Sequence, residues 1–372
     1  MVIPSYQYSF PAIRGIQAGR EYYTSMCPIH LIPKIFSFDD EYVPPEMRAQ
    51  RCLNAHRVPE ITRYILENPK DYTFSAITAS ISAEVTFEPV GTNTEAEYCM
   101  GQLHIPMNAH FIINDGQHRR AAIEQALKEN PDLGNESIAV VFFLDIGLKR
   151  AQQMFTDLNR YASRPDSSLN ILYDHRDQKS LLAKAVMQRV EAFRKLTETE
   201  RSSLTKKSNK LFTLSSIYGA TNALLSHHRD TEISTKIDIA SNFWSAVYHN
   251  MSDWQHVLER KVSAPEIRRD YVHSYSVTLN GIGRIGATLT SLYKDDWPTH
   301  LQSLQDIDWL KTNPDWDGRI INGGRVCKSR YNVDSMAAYL KTQLKLPLTP
   351  EEERIETVHA LLEGKEVLNV HH

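Results

Sequence analysis

Residues 111–130 read FIINDGQHRRAAIEQALKEN, and their pattern changes midway. Phe111, Ile112 and Ile113 form an apolar run of strand length, and Asn114, Asp115 and Gly116 are turn formers. After them Ile123, Ala126 and Leu127 recur at helical spacing. The reading is a strand over 110–114, a tight turn, and a helix over 117–129. Asp115 is the expected N-cap, its carboxylate accepting a backbone N–H from Gln117 or His118. Arg119 and Arg120 then stand in the opening turns, where a cation forfeits about 0.3–1 kcal/mol against the helix dipole. Two arrangements would offset that cost. One is a pair of ion pairs at four-residue spacing, Asp115 with Arg119 and Arg120 with Glu124, each contributing about 0.2–0.5 kcal/mol. The other is an anion site: Gly116 lets a ligand approach the backbone, N–H groups at the helix start point outward, and His118, Arg119 and Arg120 donate to phosphate. Arg119 shares a stripe with Ile123, Ala126 and Leu127, which places its guanidinium in a cleft between helix and sheet.

Around this turn the chain reads as α/β. IAVVFFLD (138–145) is a continuously apolar strand of the kind buried on both faces. FSAITASISAEVTF (74–87) alternates β-branched and aromatic residues, as a bulged strand or two successive ones. Residues 46–67 carry helical periodicity broken by Pro59, which predicts two short helices, the second ending at Asn68-Pro69. From Gly147 helical patterns follow one another, without a fixed repeat. The expected organisation is an α/β domain over 1–150 and a mainly helical domain over 151–372.

The 372 residues carry a net charge of −3, which excludes a generally basic nucleic-acid coat and leaves only local patches for DNA. Two stretches hold four cations and no acid. RSSLTKKSNK (201–210) offers Lys206, Lys207 and Lys210, with Ser208 and Asn209 as the cap of a following helix. RIINGGRVCKSR (319–330) offers Arg319, Arg325, Lys328 and Arg330, with Tyr331 as a stacking candidate. The competing reading of either run is a solvated face. GIGRIGA (281–287) matches a dinucleotide fingerprint, with Asp306 downstream, but it lies in a helical region and reads as close helix packing.

Cys27, Cys52, Cys99 and Cys327 form no CxxC, so reduced thiols are expected. Cys27 lies near Arg14, Arg20 and Lys34, which leaves a reactive or DNA-proximal thiol to weigh against a buried inert one. His227-His228 and His104 with His110 lack further ligands, so no metal site is expected. The opening MVIPSYQYSFPAIRG has no leader-like charge and apolar pattern, and no apolar run reaches 18 residues; a cytoplasmic protein without a membrane span is expected.

Asp115 to Arg119 spell DGQHR, the signature of the DGQHR-domain proteins, and this segment is similar to the GE(H/R)R segment of the ParB and sulfiredoxin superfamily. FPAIRGIQAGREYY (10–23), Asn68-Pro69 with Tyr72 and Phe74, and FTDLNRYASRPDSSLN (155–170) extend the resemblance to the DndB family, regulators associated with bacterial DNA phosphorothioate modification. The resemblance implies an α/β N-terminal domain like those of ParB and sulfiredoxin. It implies a DNA-binding transcriptional repressor acting on the promoter of a sulfur-modification operon, with other phosphorothioation proteins or a second copy of the chain as partners. It also implies ATP or another nucleotide at Asp115, Gly116, Gln117, His118, Arg119 and Arg120. Asn159 and Arg164, after an amphipathic helix, read either as ordinary surface-loop residues or as groups opposite the turn that close its anion pocket. Asp115 and His118 would be catalytic, with Mg²⁺, if the nucleotide is hydrolysed. Two departures matter: Cys99 is sixteen residues upstream of Asp115, so sulfinic-acid reduction is not supported, and Gln117 replaces an acidic residue of the ParB pattern. The alternative function is an NTP-hydrolysing or DNA-nicking enzyme of a modification or defence system, marked by Glu84, Asp115 or Asp157 poised beside the arginines. A third is a partner-binding subunit with no DNA contact.

Overall fold

The two runs QYSFPAIRGIQ and REYYTSMCP alternate side chains across an extended backbone, and Ala18-Gly19, at φ 50° and 73°, joins them as a two-residue hairpin. They are β1 (Gln7–Gln17) and β2 (Arg20–Pro28), paired from Ala12↔Ser25 to Gln17↔Arg20. The computed structural model describes residues 6–36, 55–144, 148–160, 165–293 and 296–362. The chain divides into two units, residues 1–163 and 164–372.

In the first unit β3 (Ile77–Ile81), β4 (Thr86–Pro89), β5 (Met100–Pro106), β6 (Phe111–Asp115) and β7 (Ser137–Leu144) complete a seven-stranded sheet in the order β4-β5-β1-β2-β7-β3-β6. Only β3 and β7 pair in parallel. The 74–87 stretch is thus two strands, and β3 shifts register between Thr78 and Ala79. The helices are α1 (Ile32–Ile35), α2 (Val58–Glu67), α3 (Glu95–Cys99), α4 (Gln117–Glu129) and α5 (Leu148–Arg160). Pro59 opens α2 and Asn68 closes it, as its sequence predicts; the helix expected upstream lies outside the described residues.

One face of the sheet is the core: Phe10, Cys27, Ile77, Ile81, Leu103, Ile113 and Phe142 are each at most 3% exposed, and Ala122 and Ile123 of α4 pack among them. On the other face Asn114 Nδ2 donates to Ser80 Oγ at 2.7 Å and reaches Met154 Sδ of α5 at 3.0 Å. β7 departs from its sequence reading. Ile138, Val140 and Phe142 are buried while Ala139, Val141 and Phe143 are partly exposed, so a continuously apolar strand is fully covered on one face only.

The second unit is helical: α6 (Ser167–Tyr173), α7 (Gln178–Arg189), α8 (Glu191–Leu196), α9 (Leu214–Leu224), α10 (Ile233–His249), α11 (Ser252–Leu258), α12 (Ala264–Asp270), α13 (Ser276–Leu292), α14 (Trp297–His300), α15 (Arg330–Gln343) and α16 (Pro350–Leu362). Short pairs β8 (Thr197–Glu198) with β9 (Phe212–Thr213), and β10 (Ile321–Asn322) with β11 (Arg325–Val326), punctuate it. GIGRIGA lies inside α13 and acts as the packing stripe its sequence predicts. A Cβ on Gly283 would meet the Ala220 carbonyl oxygen at 2.2 Å, and one on Gly281 would meet Met336 Cγ at 2.4 Å, so α9 and α15 approach this close only over glycine. All five tryptophans of the chain fall in this unit.

Candidate functional site

The DGQHR turn forms where its sequence places it, but with a different cap. Asp115 is the last residue of β6, and Gly116, at φ 112°, is the N-cap of α4 with no side-chain bond to the first turn. The left-handed backbone requires glycine there. A Cβ would also meet the Arg119 guanidinium and Ile77 at 3.1 Å, so Arg119 folds over the turn. The Asp115 carboxylate, expected to cap the helix, instead accepts from Arg119 Nη2 at 2.7 Å, and the same nitrogen donates to the Ala76 carbonyl at 3.0 Å. Arg119 Nε is buried without a partner.

Arg120 is turned into the protein. Its Nε donates to the Phe36 carbonyl at 2.7 Å, Nη2 to the Pro33 carbonyl at 3.1 Å and Nη1 to the Glu124 carboxylate. Gln117 is buried and its Nε2 donates back to the Ile113 carbonyl at 3.0 Å. His118 is partly exposed. Both four-residue ion pairs foreseen in the sequence therefore form, and they engage the arginines that the anion reading needed. Asn159 is exposed on α5 and its Nδ2 donates to the Phe155 carbonyl at 2.8 Å; Arg164 lies outside the described residues. Glu84 is exposed, and Asp157 accepts from Gln153. A cavity of about 430 Å³ beside α5 is lined by Arg20, Glu21, Arg150 and Asp157, but by none of residues 115–120.

Cys27 sits on the core face of β2 with no exposure, and burial pushes its thiol up to about 12. The neighbouring cations in sequence do not make it a thiolate; the reactive reading gives way to the inert one.

The cations of the second unit fall into two kinds. Arg319, expected on the surface, is 5% exposed, forks onto both oxygens of Glu356 and lies over the Tyr339 ring at 5.1 Å. Its guanidinium is held by the protein itself and not presented on the surface. Lys210 is partly exposed and donates to the Lys195 carbonyl at 2.8 Å. Ser208 and Asn209 cap no helix, because β9 intervenes and Thr213 caps α9 with a capping box.

Lys206 and Lys207 are exposed in a loop that Arg268 holds from beneath, donating to the carbonyls of Thr205 at 2.9 Å and Ser208 at 2.6 Å. Arg325 stands at the tip of the β10–β11 hairpin, whose turn residues Gly323 and Gly324 have φ 56° and 73°, the two left-handed conformations of a type I′ turn. Nothing lies within 4 Å of a Cβ built on either glycine, so the tip projects. Lys328 and Arg330 follow it, with the 45% exposed Tyr331 ring beside them. None of Lys206, Lys207 and Arg325 has a carboxylate partner among the described residues.

Arg284 escapes a reading of the sequence. It lies in GIGRIGA, and its guanidinium pairs with Asp334 at the start of α15. The signal that could find it is the spacing Ser276, Asn280, Arg284, a polar residue at every fourth position of a helix otherwise made of small, aliphatic and hydroxyl residues. Arg268 escapes as well, since a loop-holding role leaves no local pattern.

These features define a protein with a sheet domain closed by a self-neutralising strand–turn–helix, and a helical unit that presents Lys206, Lys207 and Arg325 on a loop and a hairpin without carboxylate partners among the described residues. The family model described as DndB, DNA-sulfur modification-associated, matches residues 10–347, and the chain belongs to that family. Searches of curated proteins and of solved structures gave no match. Among the described residues, no helix is long and apolar enough to cross a membrane.

Proposed function

We propose that the chain serves DNA sulfur modification as a DNA-binding regulator, a repressor at the promoter of a modification operon, and that its DNA contacts lie in the helical unit. One observation carries the reading. The arginines of the DGQHR turn and Arg319 are neutralised by protein carboxylates, whereas Lys206, Lys207 and Arg325 are held out on a pinned loop and a projecting hairpin without any. Cations so presented suit backbone phosphates, which position a protein on a duplex.

A nucleotide at residues 115–120 is not part of this reading. It would have to displace Asp115 and the Ala76 carbonyl from Arg119, and all three Arg120 nitrogens already donate to protein oxygens. The test is fluorescence anisotropy with promoter duplex at two salt concentrations. Arg325→Ala with Lys206→Ala and Lys207→Ala should weaken binding and flatten its salt dependence by about 0.9 for each phosphate the protein no longer neutralises. Unchanged affinity and slope in the triple variant would overturn the proposal.

A further inference from the structure

α9, α13 and the start of α15 border an open cleft of about 540 Å³ lined by Asn280, Arg284, Lys328, Ser329 and Arg330. Three cations line it, and two of them pair with Asp334. Arg284 donates to Asp334, and Arg330 Nε lies 3.9 Å from the same residue, so Asp334 gathers both guanidinium groups without balancing them. Lys328 is exposed, and its ammonium donates to Ser276 Oγ at 2.7 Å. It has no carboxylate partner among the described residues.

Ser276, Asn280 and Arg284 stand one turn apart on α13, and Asn280 Nδ2 donates to the Ser276 carbonyl at 2.7 Å, which fixes the wall of the cleft. Desolvation holds the Lys328 pKa below the usual lysine value, the signature of a cation without a counter-ion. Withdrawing an ammonium from water costs free energy unless an anion compensates it. The local excess of positive charge calls for a dianionic or monoanionic oxyacid that offers several acceptors at once.

We propose that this cleft is a phosphate-binding subsite, in which Arg284, Lys328 and Arg330 take one phosphate of a DNA backbone. The source of that phosphate rests on the DNA-binding reading. A free phosphate monoester has the same recognition chemistry, and the experiment separates the two.

The full chain and its Lys328→Met and Arg284→Gln variants are compared in two measurements: melting temperature against inorganic phosphate at constant ionic strength, and anisotropy with promoter duplex across a salt series. Phosphate should raise the melting temperature of the parent protein and leave Lys328→Met unmoved. Without phosphate, Lys328→Met should melt at or above the parent, because an uncompensated cation is gone, which also establishes that it folds. Each variant should bind duplex roughly tenfold more weakly, with the log–log salt slope reduced by about 0.9, the signature of one phosphate fewer neutralised. If the parent binds duplex and both variants match it in affinity and slope, the subsite is overturned while the DNA-binding reading stands. If the parent binds no duplex, yet phosphate stabilises it and fails to stabilise Lys328→Met, the DNA reading falls and the cleft is a site for a free phosphate ester. No response to either probe overturns both.

Discussion

Replacing Arg120 by alanine separates the two readings of the DGQHR turn more sharply than any binding assay. The side chain is 9% exposed, and its nitrogens serve the Phe36 and Pro33 carbonyls and the Glu124 carboxylate. Truncation orphans two carbonyl groups, each costing about 1–3 kcal/mol when left unpaired in a buried setting. Glu124 is 38% exposed, so water recovers most of what it loses, and the pair itself adds about 0.5 kcal/mol at most. The sum, allowing that neighbouring losses do not add fully, is about 2–4 kcal/mol. Arg119→Ala touches a 44% exposed Asp115 and one carbonyl, and should cost about 1–2 kcal/mol. Hydrogen exchange followed by mass spectrometry on the whole chain reads this locally. A loss of about 2–4 kcal/mol raises the opening equilibrium of the α4 amides roughly thirty- to a thousandfold. The ranking Arg120 above Arg119 is the essential outcome. Unchanged protection of residues 117–129 in Arg120→Ala would refute the structural role and return the arginine to a ligand.

Three further outcomes are expected. His273 is fully buried, accepts from Trp254 Nε1 at Nδ1 (3.0 Å) and so presents Nε2–H to Asp253 at 3.0 Å, and burial lowers its pKa below 6.5. Because the unfolded chain takes up that proton first, the second unit should lose stability as pH falls below about 6.5, and His273→Gln should flatten that slope in urea titrations read by tryptophan emission; an equal slope in both proteins counts against it. Gly116→Ala forces a side chain into φ 112° and onto Arg119 and Ile77, and should lower the melting temperature, while Gly323→Asn suits a type I′ turn and should leave it within about 1 °C. Cys27 should resist iodoacetamide in the native protein while the partly exposed Cys99 and Cys327 react; labelling of Cys27 at their rate would contradict its burial.

The sequence reveals elements better than it reveals partners. FIINDGQHRRAAIEQALKEN gives β6 and α4 within a residue because strand-length apolarity, a glycine and helical spacing follow one another locally. The pairing of Asp115 with Arg119 and Arg120 with Glu124 is equally readable, being four residues apart. Illegible are the contacts that span the chain: Arg120 on the carbonyls of residues 33 and 36, Arg319 on Glu356, Arg268 under the 205–208 loop. Each converts an apparently free cation into a structural one or a holder of others, and no local pattern announces it. Gly323-Gly324, by contrast, is a hairpin signal that stands in plain view within the run of cations and is masked by them.

The place of β7 in the sheet has a consequence for synthesis. It is the last of the sheet's seven strands to leave the ribosome, yet it lies between β2 and β3, with β4-β5-β1-β2 on one side and β3-β6 on the other. Until residues 137–144 emerge, the nascent chain holds two disconnected ribbons, each with an apolar edge open to any passing strand. β7 is therefore the fastener of the domain, and its late arrival imposes a waiting period on the strands already made. A chain halted before Ser137 should be held by chaperones or aggregate, and one released after Leu144 should close its sheet by long-range pairing, the slow kind of folding step.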